Sequence, residues 1–164
     1  MIVALSTTSR YDGRMTDDLD DQRLAAWEAF VYAHAAVVDR IERELTAAGV
    51  VPLGWYDVLV ALAPAPGHRL RMHELAREVV LSRSGLTRLV DRLAAAGLLC
   101  RQPDPSDRRG AFAALTPEGL AAQQRAWPVY ARAIAAHFGR HLSEDEARTL
   151  AGALDRVRAA GREG

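Results

Sequence analysis

Lysine is absent from this chain, so all 21 of its basic side chains are arginines. Each fixed positive charge is a planar guanidinium, suited to paired hydrogen bonds with phosphate or guanine, where an ammonium acts only as a point charge. The absence, with the abundant alanine, equally fits the base composition of the gene. Cysteine is nearly absent too: Cys100 stands alone, which excludes an internal disulfide framework and leaves open an intermolecular bridge. Long apolar runs are missing, because Arg, Asp or Gly interrupts each one well short of the roughly 20 residues of a membrane span. The opening MIVALSTTSR has no basic segment ahead of its short apolar stretch, so a secretory signal is not expected and a cytoplasmic protein is. Glycine-rich phosphate loops, nucleophile elbows and HExxH are lacking, and the acids of 17–21 read as charge at a helix start. Enzyme chemistry and a bound cofactor are therefore not expected.

What is present suits one good core: 164 residues, 49% of them apolar. Formal net charge is zero, which taken alone speaks against a nucleic-acid partner. The charge is segregated, however. Within residues 69–110 nine arginines face five carboxylates, an excess of four, while acids gather in 17–21 and 143–146. A local basic face is what phosphate binding needs, since the attraction fades within a Debye length.

Along the chain, residues 1–16 have no sustained period and read as a flexible arm. Leu24, Trp27, Val31, Ala35, Val38, Ile41 and Leu45 recur at spacings of three and four, which predicts a long helix over 17–48, ended by Gly49. Pro52 opens a shorter helix, closed by the prolines of 63–67. Leu70 to Met72 fits a small strand, and His73 to Val79 a two-turn helix. A helix over 82–96, capped by Ser82, turns Leu86, Leu89, Val90 and Leu93 inward. Gly97 ends it. Two strands then flank PDPSDRRG, whose prolines are expected to exclude regular strand. Thr116-Pro117 starts a further helix, with a bend expected at Pro128, and Ser143 to Glu146 form a capping box for a last helix to about Ala160.

The segment around 82–115 carries the chemistry. Arg83, Ser84, Thr87 and Arg88 occupy the exposed face and N-terminal end of the predicted 82–96 helix, where helices meet base edges, and Ser82 can join them at the cap. Arg108 and Arg109 tip the adjoining hairpin and suit phosphates or a narrow minor groove. Asp107, two residues before Arg109, can orient its guanidinium. Arg71, Arg77 and Arg92 read as phosphate contacts or internal ion pairs. The expected fold is mainly α with a small β-hairpin wing. It comprises a winged helix-turn-helix lobe over 52–115 (recognition helix 82–96, wing 98–115) and a helical dimerisation region from 17–48 and 116–160.

Residues 81–116, LSRSGLTRLVDRLAAAGLLCRQPDPSDRRGAFAALT, resemble the core of the MarR family of bacterial transcriptional regulators. The likeness rests on the SRSGLTRLVDRL helix, the AAGLLCRQPDPSDRR wing entry, LTPEG, and Leu75-Ala76 upstream. It implies a homodimer held by the terminal helices, binding double-stranded DNA at a pseudo-palindromic operator, usually as a repressor. It also implies that Asp107 supports the wing arginine Arg109. A small aromatic or phenolic effector is a further implication, and Trp27, His34, Trp55, Tyr56, Trp127, Tyr130 and His137 lie on helices that could line its pocket. They suit a dimer core equally well. Two other readings stand beside DNA binding: a winged-helix protein-interaction module, and a thiol redox sensor using Cys100. The family's peroxide sensors carry their cysteine near the N-terminal helix, and residues 1–30 hold none. His137 and His141 stand one turn apart with only a distant carboxylate partner, so no metal site is expected.

Overall fold

The computed structural model describes residues 19–79, 83–104 and 107–161, with the backbone alone at 83, 84 and 107–109. The expected arm at 1–16, the cap Ser82 and the tip residues Pro105 and Ser106 lie outside the described residues. The chain divides into two units, Met1–Ala36 and Val37–Gly164. The first contributes the start of helix α1 (Asp21–Ala47). Asp20 caps it by accepting the Arg23 backbone N–H at 2.7 Å. Trp27, Phe30 and His34 follow one another along this stretch with ring centroids 6.1 Å apart.

In the second unit the elements after α1 are α2 (Leu53–Leu62), β1 (Arg69–Arg71), α3 (Met72–Glu78), α4 (Arg83–Ala95), β2 (Leu99–Asp104), β3 (Asp107–Leu115), α5 (Pro117–His137) and α6 (Glu144–Ala160). The fold is mainly α with a small β wing, as read from the sequence. One core lies among α2, α3, α4 and the sheet, where Val58, Leu59, Leu62, Leu75, Val90 and Leu93 are wholly buried. A second joins the end of α1 (Ile41, Leu45) to Leu53 and Tyr56 of α2 and to Ala126 and Ala133 of α5.

The sheet departs from a plain hairpin. Its order is β1-β3-β2, antiparallel throughout, with Arg71 opposite Phe112 and Phe112 opposite Gln102. Leu70 thus belongs to a third strand of the wing, one residue earlier than the sequence suggests. The expectation that the prolines exclude strand fails at Pro103, which lies within β2. β2 is an edge strand, where proline is tolerated because alternate N–H groups face away from the neighbouring strand, and the register shifts between Pro103 and Asp104.

The root of the wing is tied to α5. Gly97 takes φ +74°, ending α4, and lets Leu98 N–H reach back to the Leu93 carbonyl at 3.0 Å. Thr116 caps α5 by accepting from Gly119 N at 3.0 Å, while its hydroxyl donates to the Gly97 carbonyl at 2.7 Å. Thr116 N donates to the Leu98 carbonyl at 3.2 Å. The fit allows only glycine at 119, because a Cβ there would stand 2.1 Å from the Leu98 carbonyl oxygen. α5 runs on through Pro128 to His137.

Candidate nucleic-acid interface

Helix α4 is sorted by its period. Leu86, Val90 and Leu93 are buried against α2, α3 and the sheet, and Leu89 packs at the core's edge. Thr87, Arg88, Asp91 and Arg92 face outward. Asp91 and Arg92 are engaged by β2 and α2. Asp91 accepts from Arg101 of β2 (Nη2 2.7 Å, Nε 3.1 Å), and the Arg92 guanidinium stands 5.8 Å from the Trp55 ring centroid. Arg88 has no ion pair or hydrogen bond among the described residues. Arg83 and Ser84 form the first two residues of α4, where backbone N–H groups lack helical partners.

The wing reaches out beside this helix. Asp107, Arg108 and Arg109 open β3 directly after the tip, with Asp107 opposite Asp104. Their side chains, like those of Arg83 and Ser84, lie outside the described residues. Nearer the root, the sheet carries contacts that span its outer strands. Arg71 Nε donates to Asp104 Oδ2 at 2.7 Å and Arg69 Nη1 to Gln102 Oε1 at 2.9 Å. Both guanidiniums flank Phe112, at 4.8 Å for Arg69 and 5.5 Å for Arg71. Arg71 is thus an internal partner, one of the two roles its sequence context suggests. Asp104 and Gln102 were not singled out by sequence. Their partners lie 33 residues away, and only the pairing of β1 with β3 brings them close.

A helix-turn-helix of α3 and α4 beside a three-stranded wing is a known DNA-binding arrangement. The family model described as "MarR family" matches residues 48–110. AbsC of Streptomyces coelicolor, a MarR family transcriptional regulator, superposes with TM-score 0.81 at 30% identity, covering 91% of this chain and 100% of that one. This chain belongs to the MarR family. A second MarR regulator of the same organism, Sco3205, solved in complex with DNA, gives TM-score 0.78 at 34% identity over 87% of this chain and 89% of its own. A Thauera aromatica protein named for transcriptional regulation of the hcr operon is 35% identical over 112 residues, 68% of this chain. The chain spans 65% of the length of that curated relative. The MarR family is one of winged helix-turn-helix transcription regulators, not of enzymes.

In this MarR protein the aromatic residues of the second unit differ in their surroundings. Tyr56 is 2% exposed and stacks on Tyr130 with centroids 4.8 Å apart. Trp127 meets Tyr130 at 6.3 Å yet is 52% exposed. Trp55 packs against the lobe core, its indole N–H buried without a partner among the described residues. Trp27 and His34 belong to the first unit. A cavity of about 350 Å³ is lined by Asp57, Val60, Ala61, Glu78 and Val79. Burial, then the Glu42 carboxylate, holds the Asp57 carboxyl above its ordinary 3.8, although the residue's outer edge meets water. Burial, then Asp57 and Tyr56, likewise raises Tyr130. His137 pairs with Glu44 across α5 and α1, a carboxylate that sequence proximity did not offer. No group of three metal-ligating residues occurs among the described residues. Cys100 is exposed on β2, and its neighbour Arg101 is turned to Asp91. No described helix is long and apolar enough to cross a membrane.

Proposed function

We propose that the protein is a homodimeric, sequence-specific repressor that binds double-stranded DNA at a pseudo-palindromic operator. The observation that carries this reading is the outward face of α4, where Thr87 and Arg88 stand exposed over a fully buried Leu86-Val90-Leu93 stripe. Ser82, Arg83, Ser84, Thr87 and Arg88 are assigned to base edges in the major groove. Arg108 and Arg109 are assigned to the minor groove beside it, with Asp107 orienting Arg109. The DNA complex of Sco3205 supports the partner, and the local excess of arginine supplies the attraction.

A second copy is supported by α6, in which no residue is buried and Val157 is 70% exposed, and by Trp127 on α5. Two copies would set two recognition helices about one helical turn apart. Release by a small aromatic effector belongs to the same proposal, supported by the ring cluster of Tyr56, Trp127 and Tyr130. Phenolic titrants that alter neither tryptophan fluorescence nor operator affinity would overturn that part.

The test is binding of the purified protein to its own promoter fragment across a salt series. Affinity should fall steeply with salt. Arg88→Ala should flatten the preference at one base position, costing about 1–3 kcal/mol there. Arg109→Ala should weaken many sequences alike. Binding that ignores salt, or that survives loss of Arg83, Arg88 and Arg109, returns the chain to the protein-interaction reading.

A further inference from the structure

Among the described residues Asp104 is the single charged residue that is buried, its side chain only 3% exposed. A carboxylate withdrawn from water at the end of a wing strand is costly unless a cation answers it. Arg71 answers from two strands away, at 2.7 Å, crossing over Phe112. The backbone pairing of β1 with β3 stops at Arg71 opposite Phe112. The ion pair therefore carries the grip of β1 past the last ladder bond, out to where the β2–β3 register shifts. Arg71 is also the residue at which α3 begins, its own N–H donating to Glu74 Oε2 at 2.8 Å. One residue thus caps the first helix of the helix-turn-helix and holds the outer end of β2.

We infer that the Arg71–Asp104 pair is a positioning device that sets the wing tip against the helix-turn-helix, and that Asp104 thereby determines how Arg108 and Arg109 engage DNA. This rests on the DNA-binding reading. The geometry behind it is short: Asp104 lies opposite Asp107, and the two arginines follow on the same strand. A shift of the Asp104 backbone is handed to them through that cross-strand pair. The Arg69–Gln102 bond, one step nearer the root, repeats the same spanning contact and steadies the inner half of the hairpin.

The test uses the full chain and its promoter fragment over a salt series, with Asp104→Asn as the principal variant. Asp104→Asn should lower operator affinity about tenfold and make the salt dependence shallower by about one unit of slope, one lost phosphate contact. In the Arg109→Ala background the same change should have a smaller effect than in the wild type, because one of the two contacts it positions is already gone. Amide hydrogen exchange should quicken across 103–112 and stay unchanged in α3 and α4. Wild-type affinity and slope in Asp104→Asn, or losses that add in full to those of Arg109→Ala, would overturn the inference. If Asp104→Asn does not fold, Arg71→Lys decides, since it keeps the charge balance and loses the Nε donor. A wild-type chain that binds no DNA defeats the functional reading instead, and the exchange pattern then judges the clamp by itself.

Discussion

The lobe around α4 and the C-terminal helices α5 and α6 bury their apolar residues in different ways. In the lobe, leucines and valines from four elements are sealed from water, each contributing about 2 kcal/mol. In α5 the buried positions are Gly119, Ala122, Ala126 and Ala133, and α6 buries nothing. Alanine allows close helix approach but adds little burial. Of the larger apolar groups here, Val129, Tyr130 and Ile134 pack against the second core, whereas Trp127, Val157 and Phe138, the residue that ends α5, are exposed. The lobe is sealed by its own residues, whereas the exposed apolar groups of the C-terminal helices are what the proposed second copy would cover.

That contrast can be broken by substitution. Leu93→Ala, in the sealed core, should cost about 3 kcal/mol in a urea titration; a loss below about 1 kcal/mol would show the lobe to be loosely packed. Gly119→Ala forces the root of the wing away from α5 and should cost about 2 kcal/mol. Val157→Glu should leave helicity and unfolding of the isolated chain nearly unchanged while shifting mass from dimer to monomer in sedimentation. Unchanged mass would remove α6 from the interface.

The smallest effect concerns pH. The folded-state pKa of Asp57 is raised, so between 3.8 and that raised value the folded chain holds more proton than the unfolded one. Ionising Asp57 therefore lowers stability as pH rises through this window. Asp57→Asn should be slightly the more stable protein at neutral pH, the gap closing below 3.8. A gap that widens in acid would reverse the assignment.

The features legible in the sequence were the local ones. The 3.6-residue period sorted α4 into Leu86, Val90 and Leu93 inside and Thr87 and Arg88 outside. The caps at Thr116 and Ser143 were plain because three or four adjacent residues make them. What escaped was long-range pairing. β1 joins the wing across about 40 residues of chain, and the Arg71–Asp104 and Glu44–His137 pairs depend on that kind of closure. Pro103 escaped because an edge strand turns alternate N–H groups away from its single neighbour, and a proline is tolerated there. The aromatic residues shared helical faces in sequence, but side-chain direction separated Tyr56, which is buried, from Trp127, which is not.

The joint of Gly97, Leu98, Thr116 and Gly119 makes the wing a lever. From Leu115 to Asp107 the strand extends eight residue steps, about 26 Å at roughly 3.3 Å each. A tilt of about five degrees where α5 meets the root then carries the tip about 2 Å. Hydrogen bonds tolerate only about 0.5 Å. A rotation of α5 too small to disturb its own packing would therefore move the tip by several times that tolerance.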